Sequence, residues 1–133
     1  MQAQMLLENL SNKTEGLLYF SESEYPLTIE QWGQLNDNDV RVKIAGIHQV
    51  AANALTPVNT ADFFNAVTRI ADPNDTAMVA NAQKFAALYQ FLQEHFSRIQ
   101  VFRVEGDTNI PVYIVCHQPD NSCVALITTA IES

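Results

Sequence analysis

Glu22 and Glu24 alternate with Ser21 and Ser23 inside the run Gly16-Leu17-Leu18-Tyr19-Phe20-Ser21-Glu22-Ser23-Glu24-Tyr25-Pro26. Two carboxylates flanked by hydroxyls suit one of two tasks, proton transfer at a glycosidic bond or imitation of a phosphate group. No cluster of sugar-stacking aromatics accompanies them, which argues against the first. Pro26 locks its own φ and pushes Tyr25 towards extended geometry, so the acidic stretch cannot run on as helix. The apolar residues ahead of it are expected to anchor in a core. Glu22 and Glu24 would then stand on a stiffly held loop.

The elements that must hold this loop follow from periodicity. Leu6, Leu7 and Leu10 recur at helical spacing over residues 3–15, and Gly16 is placed as a C-terminal stop. Residues 27–32 predict a strand that ends at Gly33, and Asn36-Asp37-Asn38-Asp39 a turn or helix start. Over residues 40–50, Val40, Ile44 and Ile47 favour a helix, while Val40, Val42 and Ile44 also alternate as in a strand. Thr60 is a suitable cap for a short helix to about Ile70 that buries Phe63, Phe64 and Val67. Ala71-Asp72-Pro73-Asn74-Asp75 breaks it. A long helix over residues 76–96 then carries Val79, Ala82, Phe85, Leu88, Leu92 and Phe96 along one core-facing stripe.

The last third changes period. Residues 99–105, 110–117 and 123–132 predict three strands joined by short turns, which makes antiparallel hairpins. Both alternating sets are apolar, Val112 and Ile114 on one side, Tyr113 and Val115 on the other. Helices should therefore cover both faces. The expected fold is one domain over residues 1–133, an α/β (α+β) three-layer α/β/α sandwich around a largely antiparallel sheet, with residues 27–32 as its fourth strand.

Composition narrows the function. The 133 residues carry 15 acidic against 7 basic side chains, a net charge of −8. That surface repels nucleic acid and attracts a basic partner. The first eight residues show no cationic leader, and no stretch approaches the ~20 apolar residues of a membrane span, so a cytoplasmic location is expected. There is no phosphate-binding glycine loop, nucleophile elbow or H-E-x-x-H pair. His48, His95 and His117 fall on different elements and read as surface or structural histidines. Cys116 and Cys123 flank a turn and are positioned to face one another across a hairpin, as thiols in a reducing compartment. Neighbours on a strand point to opposite sides, so Cys116 and His117 do not share a metal. No cofactor is expected, and catalysis is not.

The far end of the chain matters too. Thr128-Thr129-Ala130-Ile131-Glu132-Ser133 finishes a strand without a floppy polar extension. If that strand is ordered, the α-carboxylate of Ser133 is a positioned anion, ionised at neutral pH with a reference pKa of roughly 3.5. Its hydroxyl adds a hard oxygen suited to Mg²⁺ or to a coordinated water.

Over nearly its whole length, apart from about Gly33 to Val58, the chain resembles the bacterial nuclease A inhibitor family. The resemblance rests on Gly16-Leu17-Leu18, Ser21-Glu22-Ser23-Glu24-Tyr25-Pro26, Trp32, Phe63-Phe64, Lys84-Phe85, the Val112-Tyr113 strand and Ile131-Glu132-Ser133. It implies a protein inhibitor of a metal-dependent, sugar-nonspecific DNA/RNA endonuclease. It further implies that Glu22 meets basic groups of the nuclease active site and that Ser133 bridges to the partner's Mg²⁺, both in place of substrate phosphates. Ser21, Ser23, Glu24, Asp72, Pro73 and Asp75 complete the implied contact surface. Two positions depart from the family pattern: serine stands for its terminal threonine, and Pro73 for a tryptophan at the interface. The rival reading is an orphan adaptor that binds a different basic protein through the same acidic surface, with Pro73 marking the lost nuclease contact. A pocket lined by His48 or His117 would revive an enzymatic reading.

Overall fold

Apolar residues on both sides of the C-terminal strands determine how the chain is built. The computed structural model describes residues 3–132. Its elements are α1 (Ala3–Thr14), β1 (Leu18–Phe20), β2 (Glu24–Pro26), β3 (Thr28–Gln34), α2 (Asp37–His48), β4 (Thr56–Val58), α3 (Thr60–Val67), α4 (Thr76–His95), β5 (Arg98–Arg103), β6 (Asn109–His117) and β7 (Ser122–Ile131). A 3₁₀ turn, Ala52–Ala54, precedes β4. Five strands form one sheet in the order β3-β7-β6-β5-β4, antiparallel at every step. The other two, β1 and β2, make a separate hairpin.

Side chains alternate across β6 and divide the core in two. Val112, Ile114 and Cys116 join a cluster with Leu10 of α1, Phe64 of α3 and Phe85, Leu88 and Leu92 of α4. Tyr113 and Val115 join a second cluster with Val40 and Ile44 of α2, Leu55 and Phe102. The stripe expected along α4 is buried from Ala82 onward, and Val79 is half-buried.

Local chemistry sets the boundaries. The ambiguous segment is helical because Asn36 and Asp39 form a reciprocal cap: the Asn36 side chain accepts from Asp39 N at 2.8 Å, and Asn36 N donates to Asp39 Oδ2 at 3.3 Å. The cap of α3 is Asn59 and not Thr60. Asn59 Oδ1 accepts from Asp62 N, while the Thr60 hydroxyl donates to Ile99 O at 2.9 Å. That helix ends at Val67, short of Ile70. Gly33 does not end β3; it sits at a register shift with φ of +72°, so the strand bulges there and continues to Gln34. β4 went unforeseen because Pro57 lies inside it, which only an edge strand tolerates.

The register also corrects the cysteine pairing. Cys116 stands opposite Val124, and Cys123 opposite His117. The two thiols therefore project from opposite faces of the sheet, Cys116 into one cluster and Cys123 into the other. Both are buried and free.

Candidate partner-binding site

The acidic segment is a hairpin and not a loop. Leu18, Tyr19 and Phe20 pair with Pro26, Tyr25 and Glu24, leaving Ser21, Glu22 and Ser23 at the tip. All four of Ser21, Glu22, Ser23 and Glu24 are exposed. Leu17 supplies the expected anchor and is fully buried, but Phe20 turns outward and is 46% exposed.

Two three-residue strands make a weak ladder, and a lone hairpin is marginal in water. Contacts from distant elements brace this one. Asn81 of α4 accepts from Leu18 N at 3.0 Å and donates to Leu18 O at 2.9 Å, so its carboxamide pairs with the outer edge of β1 as a strand would. The polar groups of Leu18 thus face away from β2, and opposite them Pro26 removes no ladder bond. The Tyr19 ring stacks on Phe63 of α3, with centroids 5.9 Å apart. At the tip, Ser21 N donates to Ser23 O at 2.8 Å, Glu22 N donates to Ile131 O at 3.1 Å, and Ile131 N donates to Ser21 Oγ at 2.9 Å.

These last bonds bring the acidic tip to the end of β7. Glu132, the next residue, donates its amide to Thr108 O, and its carboxylate accepts from Arg103 at 2.7 Å. Arg103 also reaches Glu105 at 3.2 Å. Burial works against the charge of Arg103, but its hydrogen bond to Glu132 and the two carboxylates outweigh it and hold the guanidinium protonated. Burial pushes the nearby Tyr19 phenol up; Arg103 counters that and Glu132 adds to it. Ser133 lies outside the described residues.

Asp72, Pro73 and Asp75 lie on the exposed turn between α3 and α4. Asp72 Oδ1 accepts from Asn74 N at 2.9 Å, and Asp75 Oδ1 caps α4 by accepting from Met78 N at 3.0 Å. An open concavity of about 370 Å³ is lined by Tyr19 and Phe20 of the hairpin and by Val67, Ala71 and Met78. The structure thus brings Ser21, Glu22, Ser23 and Glu24 together at the hairpin, beside the end of β7, and leaves Asp72, Pro73 and Asp75 on a separate exposed turn.

Sequence reasoning missed Asn81 and Arg103. Asn81 left a faint trace, a polar residue directly before Ala82 of the buried stripe; Arg103 left none.

The histidines take structural places. His117 is buried between Cys123 and Gln100: its Nε2 lies 2.7 Å from Gln100 Oε1 and its Nδ1 3.3 Å from Cys123 Sγ. Gln100 Oε1 can only accept, so Nε2 carries the proton and Nδ1 faces the Cys123 thiol as an acceptor, with Leu35 O and Asn121 O also within reach of that thiol. Burial pushes the Cys123 thiol up, so it stays a thiol, and burial holds His117 below its usual range. His48 Nε2 lies 2.6 Å from the Tyr113 hydroxyl. Among the described residues no group of three or more His, Cys, Asp or Glu side chains is placed to hold a metal ion. None of the described helices is long and apolar enough to cross a membrane.

Residues 4–133 match a family model of inhibitor type, which sets the class as that of proteins acting on nucleases by restraint. The family is described as nuclease A inhibitor-like protein, and the chain belongs to it. No individually curated protein matches it.

Proposed function

We propose that this protein blocks a metal-dependent, sugar-nonspecific DNA/RNA endonuclease by offering carboxylates where the substrate's phosphates would bind. Glu22 engages basic groups of the nuclease, and the carboxylate and hydroxyl of Ser133 approach the partner's Mg²⁺ or its coordinated water. An active site built to stabilise extra negative charge with a metal ion and arginines offers the same donors to displaced carboxylates. Ser23 and Glu24 flank the contact, and Asp72, Pro73 and Asp75 form its far rim. The protein performs no chemistry of its own and acts in the cytoplasm. We read its two-sided core as a three-layer α/β/α sandwich.

One observation carries this reading. Glu22 N is bonded to Ile131 O, so an exposed anion is tied to the strand residue that precedes Ser133 by two positions in the sequence. On this reading Glu22 and Ser133 enter a single cleft. Family membership supplies the nuclease as partner, and the net charge of −8 favours steering towards a basic surface.

Titrating a Mg²⁺-dependent nonspecific nuclease with wild type and with Glu22→Ala tests the idea. The variant is expected to bind about 30- to 5,000-fold more weakly, the cost of ~2–5 kcal/mol for truncating one partner of a desolvated charge pair. A C-terminal extension moves the free carboxylate and should weaken inhibition as well. Full inhibition by the extended chain would remove Ser133 from the mechanism. Absence of inhibition together with capture of a basic protein that is no nuclease would favour the adaptor.

A further inference from the structure

Building on the inhibitor reading, we propose that Ser21 is a positioning residue that clips the hairpin tip to the end of β7 and so fixes where Glu22 stands. The clip arises from a gap in the sheet. β3 covers the outer edge of β7 only as far as Thr28 opposite Ile127, whereas β7 continues to Ile131. On the other edge Asn109 of β6 stands opposite Ile131. Along a strand the backbone polar groups of one residue point to the same edge, and successive residues alternate. Ile131 gives both of its groups to the hairpin tip, the N–H to Ser21 Oγ and the C=O to Glu22 N. It therefore faces the edge that β3 leaves uncovered.

The tip takes the place of the missing strand, but it is a bend and cannot present a backbone acceptor to the Ile131 amide. The Ser21 hydroxyl stands in for that acceptor, as short hydroxyl side chains do at turns. Ser21 N donates to Ser23 O at 2.8 Å, which closes the bend below Glu22. With its hydroxyl occupied inside the molecule, Ser21 serves the interface through Glu22 and does not itself meet the nuclease. The tip and the last turn of backbone in β7 then move as one body. Glu22 reaches the partner already tied to Ile131, so its ordering cost is met before binding.

The test combines amide exchange in the free protein with a double-mutant cycle on nuclease affinity. Ser21→Ala should speed exchange of the Ile131 amide, while the Glu132 amide, bonded to Thr108 O, stays as in wild type. Ser21→Thr keeps a hydroxyl and should restore Ile131 protection. Against the nuclease, Ser21→Ala should weaken binding roughly tenfold, the loss expected for one hydrogen bond whose partner must then be held by water. That loss should nearly vanish in a Glu22→Ala background. An Ile131 amide indifferent to Ser21→Ala overturns the clip. An undiminished loss in the Glu22→Ala background makes Ser21 a direct contact and overturns the positioning role. If the wild type inhibits no nuclease while the exchange pattern holds, the inhibitor reading fails and the clip stands.

Discussion

Two hairpins of this molecule are built on opposite principles. The β6–β7 hairpin pairs nine residues on each strand, from Asn109↔Ile131 to His117↔Cys123, and Val112 to His117 are all buried. The β1–β2 hairpin pairs three, its tip is exposed, and it is held by Asn81, Tyr19 on Phe63, and the bonds to Ile131. The first is secured by packing on both faces. The second is secured by a few directed contacts and leaves its charged side chains outward. Stability and presentation are thus assigned to different strands, and Ile131 at the end of one hairpin hydrogen-bonds the tip of the other.

That division is open to attack by mutation. Leu126→Ala on β7 empties a fully buried site and should cost about 2–5 kcal/mol in a denaturant titration, with nuclease affinity of the folded fraction unchanged. A parallel loss of affinity would show that the two hairpins are not separable. Asn81→Ala leaves Leu18 N and O without their partner and should cost about 1–3 kcal/mol. Its signature is faster amide exchange confined to β1 and β2. Exchange spreading evenly through β6 and β7 would count against a local brace.

The long hairpin should also carry a pH signature. Burial, with Arg98 adding to it and Asp37 opposing it, depresses the His117 pKa in the folded state. On unfolding the imidazole regains its usual affinity for a proton, so the unfolded chain binds more protons as acid is added. Stability should therefore fall as pH drops below about 6.5, with a slope from this group of at most ~1.4 kcal/mol per pH unit. His117→Gln should flatten that part of the profile measured by urea denaturation, and an unchanged profile would refute the assignment. Smallest of all is Thr128→Val. The Thr128 hydroxyl is buried and has no hydrogen-bond partner among the described residues. Removing it should leave stability unchanged or raise it by less than about 1 kcal/mol in thermal melts.

How much could be foreseen depended on how local the determinants are. α4 and the pairing of β6 with β7 are written in short-range periodicity, and the apolar residues on both strand faces announced a core on each side of the sheet. The β1–β2 hairpin was not legible, because its three-residue strands depend on Asn81, 63 positions away from Leu18. The choice between Asn59 and Thr60 as cap turned on Ile99 O, which captures the Thr60 hydroxyl from β5. The cysteines were misjudged by one step of register, and one step reverses the face. Of the candidate site, the acidic cluster was visible as a cluster. Its attachment to Ile131 was not, since hydrogen bonds from a bend to a strand end leave no pattern in the chain.

The opposite orientation of Cys116 and Cys123 has a consequence for handling the protein. An oxidant meets two isolated sulfurs with a sheet between them, so an intact molecule cannot cross-link to itself. Passage from reducing to oxidising surroundings should leave its shape alone, and any bridged product would come from chains that had first come apart.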